Sequence, residues 1–218
     1  MPLGRGYPFE HVSRARATGG GYVDPVGEPR SIERLVLFTD AVVAIAITLL
    51  VLPLVDAVSE ADAARASSTD VIVENLTQIF SFLLSFYVIA QLWSAHHDLF
   101  QAVTVVRRGV FTLNMLWLLT IVALPFSTEM VGAYGDDHFT VLLYVGAVLA
   151  SSACLTALSV AARGRLVPGA LGVTGTLTVA FLLVVLVPAV GYASLLLLLV
   201  SPLVQRLWAR WRSHDRAR

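Results

Sequence analysis

A handful of polar side chains sit inside segments that are otherwise apolar, and their types could hold a proton, an ion or a hydrogen-bonded network. Asp40 lies six residues into "RLVLFTDAVVAIAITLLVLPL" (34–54). Trp93, His96 and His97 lie in "QLWSAHHDLF" (91–100), and Asn114 and Trp117 in "TLNMLWLL" (112–119). An ionisable group placed among hydrocarbon is costly unless it is paired, so such a set is either a cluster that ties helices together or a relay or site for protons or ions. Metal binding is the weaker chemistry. Neighbouring positions on a helix diverge by about 100°, which keeps His96 and His97 from chelating together, and no metal or other cofactor is expected. The single cysteine, Cys154, can build neither an internal disulfide nor a Cys-based metal site, and reads as a small buried apolar residue.

The elements that carry these residues are set by composition. Of 218 residues, 57% are of hydrophobic types and only 14% are charged, with a mean hydropathy of +0.77. That is the balance of an integral membrane protein and not of a soluble domain. A helical span needs about 20 mostly apolar residues. Six stretches meet this, at about 33–54, 74–97, 109–131, 139–162, 168–188 and 190–208. The expected fold is an all-α membrane domain over 33–208, preceded by a Gly-, Pro- and Arg-rich tail at 1–32, read as disordered and cytoplasmic, and followed by a basic tail at 209–218. No residue is Lys, and the 15 basic residues are all Arg. With both termini in the cytoplasm, every one of them except Arg65 falls on the cytoplasmic side, as the excess of positive charge in inner loops requires. The outer loops are acidic. A multi-pass protein of the cell membrane follows, with the lipid bilayer as its surroundings and no feature that suits nucleic acid.

Depth brings the polar residues to one level. Asp40 is roughly 9 Å from the cytoplasmic edge of the first span at 1.5 Å per residue; Trp93, His96 and His97 end the second span, and Asn114 and Trp117 lie a similar distance into the third. A cluster joining the first three spans is therefore expected. Around the first helix, at about 100° per residue, Phe38, Ala41, Ile45, Thr48, Leu49 and Leu52 share one stripe, and Asp40 points away from it. Such a stripe ordinarily packs or meets lipid.

Three segments in order, "RLVLFTDAVVAIAITLLVL", "LWSAHHDLF" and "NMLWLLTIVALPFST", resemble bacterial members of the endosomal and lysosomal potassium channels, the transmembrane protein 175 family. Its R-x-x-x-F-S-D motif is matched by Arg34, Phe38, Thr39 and Asp40, with Thr in place of Ser. The resemblance implies a homotetramer of six-helix subunits whose first helices line a central pore. It implies a constriction of apolar side chains at Ile45, Leu49 and Leu52, tightest at Ile45, with a hydroxyl layer at Thr48. It also implies a structural network of Arg34, Phe38, Thr39, Asp40, Trp93, a helix-two histidine and Asn114, for which His97 is the preferred histidine. The function implied is a channel for potassium and other monovalent cations, modestly selective for potassium over sodium. The protein is then not an enzyme.

The rival from another class is a proton-coupled secondary transporter that uses Asp40 and the histidines. "MVGAYGDD" (130–137) superficially resembles a carbonyl-lined potassium filter, but Ala133 breaks the glycine register, so it reads as an outer loop. Pro125 is expected to kink the third span.

Overall fold

Proline marks where the first helix breaks. In the computed structural model, which describes residues 29–65, 67–101, 103, 108–135, 137–164 and 168–186, α1 spans Pro29–Leu49. Helix therefore already occupies 29–32, the last residues of the stretch assigned to the tail. At Leu50 and Val51 the helix gives way to a turn, and α2 (Leu52–Ala63) resumes with Pro53 in its first turn. The first apolar stretch thus runs Ile32–Ala63, 32 residues, and not to Leu54. At 1.5 Å per residue that is about 48 Å, well beyond a hydrocarbon core of about 30 Å, so the exposed acids Asp56, Glu60 and Asp62 of α2 extend past it.

The acidic segment expected as a plain loop is consequently helical. Ala and Glu favour helix, and among the described residues the helix ends near Arg65, whose φ is 54°. Ser67 then opens α3 (Ser68–Glu74) with a capping box, in which the Ser67 hydroxyl accepts from the Asp70 N–H while the Asp70 carboxylate accepts from the Ser67 N–H. Asn75 separates α3 from the second long helix, and its side-chain amide donates to the Val71 carbonyl at 2.8 Å.

The remaining long helices are α4 (Leu76–Phe100), α5 (Arg108–Ala133) and α6 (His138–Arg163), followed by α7 (Pro168–Leu186). They overlap the stretches read as the second to fifth spans. Gly164, with φ of 67°, closes α6 in the left-handed conformation that glycine adopts without strain. Among the described residues, four stretches, the first helix pair, α4, α5 and α6, are long and apolar enough to cross a membrane. The expected sixth span at 190–208 and both tails before 29 and after 208 lie outside the described residues.

Helix α5 is the centre of the bundle. It packs against α1, α4 and α6, and α6 in turn packs against α7. Its inward row, Trp117, Ile121 and Leu124, is at most 1% exposed, and meets Val43 and Ala46 of α1, Leu84 and Ile89 of α4, and Tyr144 and Val148 of α6 in one apolar core. A smaller cluster of Leu35, Leu99, Phe100, Val110 and Leu158 closes the other end of the same bundle. Pro125 withholds the N–H that Ile121 would otherwise receive, and one residue earlier the Leu124 carbonyl accepts from the Ser127 and Thr128 hydroxyls. Thr128 also reaches Ser85, which bonds the Tyr144 hydroxyl, so a chain of hydroxyls joins α5, α4 and α6 within the core. Large apolar side chains remain exposed on the outside, among them Leu83, Phe86, Leu119, Phe126 and Phe139. That surface suits lipid, where exposed apolar groups cost nothing.

Candidate functional site: the polar cluster and the open face of helix α1

Thr39, Asn114 and His96 have no exposed surface, and each comes from a different helix. The Asn114 side-chain amide donates to the Thr39 hydroxyl oxygen at 2.9 Å. Its carbonyl oxygen lies 2.7 Å from His96 Nε2. Since Asn114 offers an oxygen on that side, the imidazole hydrogen belongs on Nε2, and Nδ1 has no partner among the described residues. Aromatic faces hold the ring in place. The His96 ring stacks on Trp117 with centroids 4.4 Å apart and planes 11° apart, and against Phe100 at 4.5 Å and 28°. One amide thereby ties α1, α4 and α5 together at a single level.

A second bond joins α1 to α4 at the edge of this cluster. Trp93 Nε1 donates to Asp40 Oδ1 at 2.8 Å, and the Trp93 ring lies beside His97 at 5.5 Å. Asp40 and His97 are both half-buried, and Trp93 is exposed on one side. An indole donating to a carboxylate contributes more than a neutral pair, but partial exposure weakens it. Trp93→Phe should therefore lower stability by only about 1 kcal/mol, read as a small drop in the melting temperature of the purified protein. A loss as large as that from removing Asn114 would mean the Asp40 bond, and not the buried amide, holds α1.

The expectations for individual residues are met unevenly. Asp40, Thr39, Trp93 and Asn114 come together across three helices at the expected level. The preference for His97 is corrected, because His96 is the histidine on Asn114. The sign was present in the sequence, since inward positions on α4 recur at Leu84, Val88, Leu92 and then His96, whereas His97 falls one residue off that row. Phe38 does not join the cluster: it is 52% exposed and lies on the open face of α1. Arg34 is also exposed, and among the described residues no hydrogen bond ties it to the cluster. The stacking role of Phe100 was not anticipated from the sequence.

Helix α1 is two-faced. Leu35, Thr39, Val43, Ala46 and Leu50 are buried in the bundle, whereas Phe38, Ala41, Ile45, Thr48, Leu49 and Leu52 are exposed. Ile45 is 60% exposed and Leu52 51%. The Thr48 hydroxyl donates to the Ile45 carbonyl at 2.8 Å, so its oxygen lone pairs are left on the open face. The glycine-containing stretch at 130–137 is no filter: α5 remains helical through Ala133, and the Met130 carbonyl accepts from the Tyr134 N–H at 2.8 Å. Among the described residues, no three His, Cys, Asp or Glu side chains gather as metal ligands.

Comparison with known proteins falls on the same helices. The family model described as the endosomal/lysosomal potassium channel TMEM175 matches residues 34–125, the segment that carries α1 to α4 and most of α5. A protein of Streptomyces collinus named as a potassium channel is 35% identical over 101 residues, covering 46% of this chain and 48% of the relative. The human protein named as the endosomal/lysosomal proton channel TMEM175 is 28% identical over 120 residues, covering 54% of this chain and 23% of the relative. The matches thus span about half the length of the bacterial relative and about a quarter of the human one. A crystal structure of a lysosomal potassium-selective channel TMEM175 homolog from Chamaesiphon minutus superposes with a TM-score of 0.64 at 22% identity, over 81% of this chain and 98% of that one, a likeness of fold. Over residues 34–125 the chain is similar to the endosomal/lysosomal potassium channel TMEM175 family.

Proposed function

We propose that the chain is the subunit of a cation channel permeable to potassium, in which four copies place their first helices around a central pore. Six spans per subunit, with both termini in the cytoplasm, complete the arrangement. One observation carries the reading: the face of α1 opposite its buried row is open from Phe38 to Leu52 and bears Ile45, Thr48, Leu49 and Leu52. The buried hydrogen bonds of Asn114 to Thr39 and His96 hold the other face. A helix anchored on one side and bare on the other suits a pore lining that must keep its orientation while ions pass. The names of the bacterial relatives as potassium channels support the choice of ion.

In this reading Ile45 forms the narrowest ring, with Leu49 and Leu52 beyond it, and an apolar ring controls passage through wetting. Such a ring strips water from an ion and replaces little of it, so selectivity for potassium over sodium is modest. Thr48 supplies the nearest side-chain oxygen. Thr48→Ala is expected to reduce the potassium preference several-fold, as a shift of reversal potential toward zero under opposed potassium and sodium gradients. An unchanged reversal potential would remove Thr48 from the selecting layer. The network residues Thr39, Asp40, Trp93, His96 and Asn114 then act as supports and not as ion ligands.

A second permeant ion has a specific basis. The vertebrate relatives are named as proton channels, so the same recordings under a pH gradient test proton current through this chain. Coupled proton exchange, the transporter reading, would instead show saturable flux that vanishes without a pH gradient.

A further inference from the structure

The end of the bundle opposite the His96 cluster carries a polar groove that the channel reading does not use. It has a volume of about 550 Å³ and lies where the first turn of α4 meets the last turn of α5. The two helices come close there, since a Cβ at Gly132 would sit 3.2 Å from Gln78 Cγ. The side chains on the groove divide by chemistry. Glu74 brings a carboxylate, and among the described residues no basic side chain lines the groove. Asn75 commits an amide hydrogen to the Val71 carbonyl and keeps its Oδ1 as an acceptor. Gln78 and Thr77 add N–H and O–H donors, and Phe80 adds an aromatic ring.

Position adds a second constraint. At 1.5 Å per residue the groove lies about 30 Å along α4 from His96, close to the thickness of a hydrocarbon core, so it stands at the headgroup level of the membrane surface on that side. Leu76, Phe80 and Leu83 are all exposed and recur at i, i+4 and i+7, one stripe of α4 that leads from the groove into the hydrocarbon. A ligand suited to both features has a head with an ammonium and a phosphate, and an apolar tail. We propose that the groove binds the headgroup of an amine-bearing zwitterionic phospholipid of the phosphatidylethanolamine type. The ammonium donates to the Glu74 carboxylate and to Asn75 Oδ1, with the Phe80 ring as a further partner for the cation. The phosphate takes the donors of Gln78 and Thr77, and an acyl chain follows the stripe. A primary ammonium offers three N–H donors to these acceptors, a choline head offers none, and an anionic head without an amine leaves Glu74 facing like charge.

The test is native mass spectrometry of the full chain in detergent, mixed with phosphatidylethanolamine, phosphatidylcholine or phosphatidylglycerol of the same acyl chains. The wild type should retain phosphatidylethanolamine several-fold more than either of the others. Glu74→Gln should lose most of that preference, and Ala133→Trp, which fills the groove from its rim, should lower retention several-fold. Both positions are exposed, so neither change removes a buried contact, and the wild-type comparison decides alone if a variant does not fold. Equal retention of the three lipids by the wild type, or a preference that survives in both variants, would overturn the site. Free phosphoethanolamine separates a soluble source from a lipid one. Displacement of the lipid only in large excess supports the lipid, whereas displacement at equal concentration would assign the groove to a soluble amine and overturn the proposal. No current is measured, so a negative result here leaves the channel reading intact.

Discussion

Asn114→Leu is expected to loosen α1 from the bundle, with a loss of about 2–4 kcal/mol in stability. The side chain has no exposed surface and serves two neighbours at once, donating to Thr39 and accepting from His96. Leucine has the same branched shape and is somewhat bulkier, so the cost is not a cavity. It comes from two polar groups left unpaired where water cannot reach them, at about 1–3 kcal/mol each, partly relieved as the Thr39 hydroxyl turns to a carbonyl of its own helix. Thermal unfolding of the purified protein in detergent reads this as a drop of several degrees. The control is His97→Ala: half-buried and outside the amide network, it should cost under about 1 kcal/mol. Equal losses from the two variants would mean that the buried amide does not anchor the helix.

Ile45→Ala should do the opposite: leave the fold alone and change the current. Ile45 is 60% exposed in the subunit, so truncation removes few contacts and stability should move by no more than about 0.5 kcal/mol. If four such side chains meet on the pore axis, shortening each one widens and wets the narrowest ring. Unitary potassium conductance should rise several-fold and the preference over sodium should fall. Ile45→Phe, which adds bulk at the same ring, should cut the current to about a tenth or less. A conductance that ignores both changes would place the ion path elsewhere.

Much of this arrangement was legible in the sequence, because membrane constraints are strict. Apolar length and loop punctuation located the long helices, since unpaired backbone in lipid leaves few alternatives. Matching depths in antiparallel helices brought Asp40, Trp93 and Asn114 together before any coordinates. Helical period also separated Asp40 from the stripe of Ile45, Thr48, Leu49 and Leu52, and burial divides α1 along the same line. What escaped was local. His96 and His97 lie at the same depth, and only the direction of the inward row on α4 distinguishes them. The extension of the first stretch to Ala63 was hidden because Pro53 resembles a stop signal, whereas in the first turn of a new helix it is a start. Phe38 sits in a motif of which Thr39 is buried and Asp40 half-buried, while Arg34 and Phe38 are exposed; helical spacing placed Phe38 on the open stripe, and its exposure agrees.

The proposed potassium-permeable channel is tested most directly by planar-bilayer recording of the purified protein with potassium on one side, sodium on the other and equal pH. The expected result is an ohmic current whose reversal potential lies on the potassium side of zero but short of the potassium equilibrium value. A membrane that carries no current under these gradients, or flux that saturates and appears only when a pH difference is imposed, would contradict it.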